Sequence, residues 1–241
     1  MVHFSIAALH AVSPRFATTE AWRMWAHDEA AAHELPEVPP DVSFLPPLQR
    51  RRLGTAARLV FAAAHPLSEA AKQCPTVFTS HDGEMNRSFQ MLLQLFGQNE
   101  VSPTAFGLSV HNALAGQFSM LHHNTAENTA ISADEAGWEN GIIEACALLE
   151  EGAPQVLLIA TDEPLHAEYT VQAERAPFAY AVAALLERGD DWQLDRLPES
   201  PAAAPEKHYW GALSWLRHYH RGDAAWQQTY TQESWSWQKK R

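Results

Sequence analysis

Apolar and polar positions along the chain change period several times, and the changes outline its elements. Val2 to Leu9, an apolar run broken by His3 and Ser5, predicts a strand. The Pro-, Glu- and Ala-rich stretch from Glu34 to Pro47 cannot hold regular structure, because Pro36, Pro39, Pro40, Pro46 and Pro47 remove donors; it reads as an insertion or surface loop. From Leu48 to Lys72, Leu48, Leu53, Ala56, Ala57, Val60, Ala63 and Ala64 recur at helical spacing. Arg50, Arg51, Arg52 and Arg58 fall between them and read as a solvated helix face before a phosphate site. Thr76 to Ser80 predicts a short strand closed by His81-Asp82-Gly83, and Glu84 to Phe96 a helix. Alternating strands and helices point to an α/β layer protein.

Further on, Thr129-Ala130-Ile131-Ser132-Ala133 predicts another strand, turning at Asp134-Glu135 into a helix that begins near Gly137. Ile142 to Gly152 continues that helix, and Gln155 to Glu163 is the next strand. Towards the C-terminus, five tryptophans (Trp210, Trp215, Trp226, Trp235, Trp237) crowd a polar segment with Tyr209, Tyr219 and Tyr230. Tyr209, Leu213 and Leu216 with Tyr219 or His220 predict an amphipathic helix near His208 to His220. Such a helix either forms part of an interface or caps the chain's own sheet.

Composition narrows the class. The 241 residues, 46% hydrophobic and 19% charged, suffice for one sizeable core. A net charge of −12 argues against binding to nucleic-acid phosphates. Cys74 and Cys146 are too few for a disulfide framework and read as apolar-face residues in a reduced, cytoplasmic setting. The longest apolar runs fall well short of the ~20 residues of a membrane helix, and the N-terminus lacks the pattern of a signal peptide. His122-His123 and the His218/His220 pair have no acidic or thiol partner at ligand spacing, so neither a metal nor a cofactor is expected.

The most specific segment runs Ser102-Pro103-Thr104-Ala105-Phe106-Gly107-Leu108-Ser109-Val110-His111-Asn112-Ala113-Leu114-Ala115-Gly116, followed by a helix into His122 and the strand ending at Ala133. This resembles the N-terminal half of a β-ketoacyl synthase, a thiolase-fold enzyme, over roughly Val2 to Leu197. The resemblance implies a single thiolase-like half-domain over residues 1–200, a layered mixed sheet with helices, followed by an aromatic-rich tail over 201–241. It also aligns Glu135, beside Asp134, with the nucleophilic cysteine. A thiolate at a helix N-terminus accepts the acyl chain; a carboxylate does not. The family's two active-site histidines belong to a C-terminal half that is not expected here: about 45 residues follow Asp195, with no His-Gly-Thr or Gly-His motif.

What the resemblance implies is a non-catalytic, chain-length-factor-like subunit of a type II fatty-acid or polyketide synthase, of the aryl polyene kind, paired with a full-length ketosynthase. Acyl carrier protein would dock mainly on that mate. The strand Thr129, Ala130, Ile131, Ser132 would pair across the two-fold, and Ala105, Phe106, Leu108, Ser109 and Asn112 would face the mate's acyl tunnel. Phe106 is either an end wall or a core residue, and His111 is structural. Glu135 either caps the following helix or shapes a tunnel. The alternatives are a thioester decarboxylase or hydrolase with Glu135 as base, and an acyl-binding module acting alone.

Overall fold

A computed structural model describes residues 1–169, 176–198 and 209–240. The N-terminal strand β1 (Val2–Val12) leads to helices α1 (Thr19–His27) and α2 (Glu29–His33). Thr18 caps α1, its side chain accepting from the Ala21 amide at 3.2 Å. The proline-rich stretch that follows holds no helix or strand until Pro47, yet Val42 and Leu45 are buried and pin it to the core.

Leu48 to Lys72 is not one helix. It divides into α3 (Pro47–Arg50), α4 (Thr55–Ala64) and a 3-10 turn at His65–Leu67, because Gly54 interrupts it at one end and Pro66 tightens it at the other. Strand β2 (Thr76–Ser80) and helix α5 (Met85–Gln98) follow, then α6 (Pro103–Gly107) and α7 (Ala113–Leu121). Ser102 caps α6 by accepting from the Ala105 amide, and Pro103 occupies its first turn, so the Ser-Pro pair opens a short helix and not a loop. The remaining described elements are β3 (Asn128–Ser132), α8 (Gly137–Glu150), β4 (Gln155–Asp162), a 3-10 turn at Ala167–Tyr169, β5 (Tyr180–Leu197), α9 (Ala212–Arg221), β6 (Ala225–Thr229) and β7 (Ser234–Lys239).

Among the described residues seven strands form one mixed sheet in the order β3-β2-β4-β5-β7-β6, with β1 also paired to β5. Strands β3, β2 and β4 are parallel; the other pairings are antiparallel. β5 is the spine. β1 runs along one of its edges from Val2↔Leu194 to Val12↔Ala181, while β4 pairs with Tyr180–Glu187 and β7 with Trp192–Leu197 on the other. At the far end, among the described residues, β3 pairs only with β2.

Both faces are covered, so the central strands read as unbroken apolar runs. Along β4, Val156, Leu158 and Ala160 enter the core beneath α1, α8 and α9, while Leu157 and Ile159 enter the one beneath α4 and α7. Gly141 lets α8 sit close to the sheet: a Cβ there would lie 2.7 Å from both Leu158 Cδ1 and Thr79 Cγ2.

The tryptophan-rich segment completes this architecture. α9 starts after Gly211, whose φ of 58° and closeness to Tyr180 exclude a side chain; the expected start at His208 lies outside the described residues, as does the division at 200/201. Trp215 of α9 meets Trp138 of α8 at 5.1 Å and Trp192 of β5 at 5.6 Å, and His220 stacks on Trp22 of α1. The β6–β7 hairpin was not apparent in the sequence reading. It adds Trp235 and Trp237 to the same core, so this segment caps the chain's own sheet.

Candidate functional site

In an open parallel sheet the carboxyl ends of the strands, where strand order reverses, form the natural crevice. Here β2, β3 and β4 end together. Asp162 closes β4 and is buried; its Oδ1 accepts from Ser80 Oγ (2.8 Å) and from the amides of His81 (2.9 Å) and Asp82 (3.1 Å). Burial, and the charge of Asp82, push its carboxyl up to about 6 against these hydrogen bonds. His81 Nδ1 lies 2.8 Å from the Ala133 carbonyl, which joins the end of β2 to the end of β3. Its ring meets Trp210 edge-on at 4.7 Å, so the segment Tyr209–Gly211 lies across the crevice.

Asp134 is exposed, whereas Glu135 is turned inward and only 8% exposed. Glu135 does not cap α8: the cap residue is Ala136, with no side-chain cap bond. Its carboxylate instead accepts from the Thr231 amide (2.6 Å) and from Thr231 Oγ1 (3.1 Å), and its own carbonyl accepts from the Gly211 amide (2.9 Å). An amide and a hydroxyl presented together by the β6–β7 turn outcompete the first turn of the helix. One turn further along α8, Glu139 is buried beneath Trp237 Nε1 (3.2 Å) and Tyr230 OH (3.2 Å), and burial pushes its carboxyl up to about 7.

No thiol stands at this turn. Cys146 lies on the buried side of α8, its thiol pushed up to about 12 by burial and the Glu150 charge; Cys74 is buried and raised as well. Among the described residues no group of three or more His, Cys, Asp or Glu is placed to hold a metal ion, and no helix is long and apolar enough to cross a membrane. His122 packs on Phe118, and His218 pairs with Asp223 at 2.7 Å. His111 Nε2 sits 3.0 Å from the Ser80 carbonyl, a structural placement.

The proposed pairing residues lie on another surface. Thr129, Ala130 and Ile131 are half-buried and Ser132 exposed along the outer side of β3, which no strand among the described residues covers. Asn128 Nδ2 donates to the Ala115 carbonyl (3.3 Å), seating α7 beside that edge, with Asn112 exposed at its start. Around α6 the side chains divide. Phe106 is 59% exposed and no core residue, Ala105 and Ser109 are half-buried, and Leu108 lines a cavity with Leu53 and Phe61. Helix α5 buries none of its residues and exposes Met85, Leu92, Leu93, Leu95 and Phe96.

Sequence reading missed Asp162, His81, Thr231 and Glu139. A carboxylate closing an otherwise apolar strand was the available signal for Asp162. Nothing local marks Thr231 as the partner of a turn 96 residues earlier.

A family model described as the N-terminal domain of β-ketoacyl synthase matches residues 22–238. No curated protein sequence matches the chain. Among solved structures, a chain of the ketosynthase ApeO in complex with its chain length factor ApeC from Xenorhabdus doucetiae is similar, with a TM-score of 0.86 and 26% identity, over 99% of this chain and 100% of that one. The ishigamide ketosynthase/chain length factor gives 0.60 and 17% over 78% of this chain and 62% of that one. A β-ketoacyl synthase from Burkholderia phymatum gives 0.59 and 13% over 78% and 60%. This chain therefore spans about six-tenths of the latter two and the whole of the first.

Proposed function

The chain belongs to the β-ketoacyl synthase N-terminal domain family, and from that premise we propose that it is the non-catalytic, chain-length-factor-like partner of a full-length ketosynthase. The pair would act in type II fatty-acid or polyketide synthesis, of the aryl polyene kind. The observation that carries this reading is the combination at the end and the outer edge of β3. Its terminal turn holds a carboxylate whose two oxygens are engaged by Thr231, and among the described residues no strand lies against its outer edge.

The first feature leaves no group at the turn that forms a thioester. The second offers a row of backbone donors and acceptors that a second sheet can extend, flanked by the apolar surfaces of α5 and α6. Similarity to one chain of a ketosynthase–chain length factor complex along its whole length supports the same reading. In it, Phe106 faces the mate, Thr129 to Ser132 pair with it, and acyl carrier protein docks mainly on the synthase.

Co-expression tests this directly. With a full-length ketosynthase the chain is expected to purify as a one-to-one complex by native mass spectrometry, and alone it is expected to turn over no malonyl-carrier protein. A monodisperse monomer that ignores every co-expressed synthase overturns the reading.

A further inference from the structure

Acidic residues are spread unevenly along this chain. It holds 29 of them, yet none falls within residues 42–68 or 101–126, and the first of these segments carries four arginines. The two segments build α3, α4, α6 and α7, and α4 and α7 cover one face of the sheet. A chain of net charge −12 thus has one locally positive side. At its borders Asp41 lies in the field of Arg50, and Glu69 in that of His122.

Two of the four arginines are uncommitted. Arg58 donates to the Arg50 carbonyl (2.6 Å) and Arg50 has Asp41 beside it, whereas the exposed side chains of Arg51 and Arg52 make no hydrogen bond or ion pair with the described residues. The amides of Arg51 and Arg52 donate to the carbonyls of Pro47 (3.2 Å) and Gln49 (3.0 Å), which carries the turn of α3 through both. Leu48, three and four residues before them, therefore stands on the same side. It is 63% exposed. Arg52 also borders a recess with Met120, near the end of α7 and 71% exposed; no residue lining that recess is acidic.

Two exposed, flexible apolar side chains beside two unpaired guanidinium groups suit a surface of anionic lipid. At a bilayer interface leucine and methionine enter the acyl boundary while arginines reach the phosphates, whereas a protein interface encloses its apolar residues within a polar rim. Carboxylates elsewhere on the chain oppose this only weakly, because at physiological ionic strength their field decays within about 8 Å.

We propose that α3 and the end of α7 form a peripheral docking surface for anionic phospholipid, held by Arg51 and Arg52 and anchored by Leu48 and Met120. A single shallow patch of this kind binds a bilayer reversibly. The surface uses no residue assigned to the synthase mate and none at the Glu135 turn, so it stands apart from the pairing reading.

Flotation of the full-length chain with vesicles of phosphatidylglycerol and phosphatidylcholine in equal parts, and with vesicles of phosphatidylcholine alone, tests this. Saturable binding to the anionic vesicles is expected, weakening with added salt, and none to the neutral ones. Arg51→Gln and Arg52→Gln are each expected to weaken binding about fivefold. Leu48→Ser with Met120→Ser is expected to weaken it severalfold and leave its salt dependence unchanged. All four side chains are exposed, so thermal unfolding of these variants should match the parent. The proposal is overturned if the anionic vesicles take up no protein, if both kinds of vesicle bind alike, or if the double variant Arg51→Gln/Arg52→Gln floats as the parent does. Capture of an acidic carrier protein at these arginines by a chain that ignores the vesicles also overturns it. None of these results bears on pairing with a synthase.

Discussion

Glu135 and Thr231 form a two-point clamp: both carboxylate oxygens of the former accept hydrogen bonds, one from the amide and one from the hydroxyl of the latter. The turn after β3 and the turn between β6 and β7 are thereby fixed to one another. The position that the family resemblance aligns with a nucleophile is thus a fastening for the C-terminal hairpin.

Charge-assisted hydrogen bonds contribute about 1.5–3 kcal/mol each, less where a partner faces solvent, as Thr231 does. Glu135→Ala is expected to lower stability by about 1–3 kcal/mol in urea unfolding, and Glu135→Gln by less, since one acceptor remains. Recovery in complex with a synthase should stay near normal for both, because β3 itself is untouched.

Stability should depend on pH through Glu139. Its carboxyl is pushed up to about 7 in the fold against an ordinary 4.5, because burial, with the charge of Glu233, outweighs the hydrogen bonds from Trp237 and Tyr230. The folded state binds more protons, so this contribution is fully present below about 4.5, falls as pH rises through 7, and is flat above. Glu139→Gln, which keeps an acceptor for Trp237, is expected to be more stable than the parent at pH 8 by about 1–3 kcal/mol. The difference should vanish near pH 4, as read by thermal unfolding across the range.

Phe106 offers a test of the pairing surface that spares the fold. Being largely exposed, it should tolerate Phe106→Asp with a change in stability within about 0.5 kcal/mol, while the yield of complex on co-purification falls severalfold. An unchanged yield would remove this residue from the interface.

Gly141→Ala pits helix propensity against packing. Alanine gains about 1 kcal/mol over glycine in a helix interior, yet its Cβ would press on Leu158 and Thr79 at 2.7 Å. The net expectation is a loss of about 1–3 kcal/mol in chemical denaturation.

Strands β2, β3 and β4 were legible because they are short, apolar and bounded by turn residues, whereas the 18-residue spine β5 was not, its polar stretch from Glu187 to Asp191 hiding any one period. Thr76–Ser80 came out as read, and the strands near Thr129 and Gln155 within a residue of their observed ends. The stretch from Leu48 to Lys72 misled because its apolar spacing survives across Gly54, where the backbone leaves the helix. The hairpin was harder. Ser234-Trp235-Ser236-Trp237 has the alternation of a strand, but the crowd of tryptophans drew attention to composition over period. The role of Glu135 was illegible in principle: the adjoining helix offered a local partner, and the competing one is fixed only when the chain closes on itself.

The same clamp bears on how this sequence can drift. Exchanging Glu135 for a side chain without an acceptor releases the amide and the hydroxyl of Thr231 together. A change at the turn after β3 is therefore felt at the β6–β7 turn, 96 residues away, so the two turns are constrained to vary as a pair.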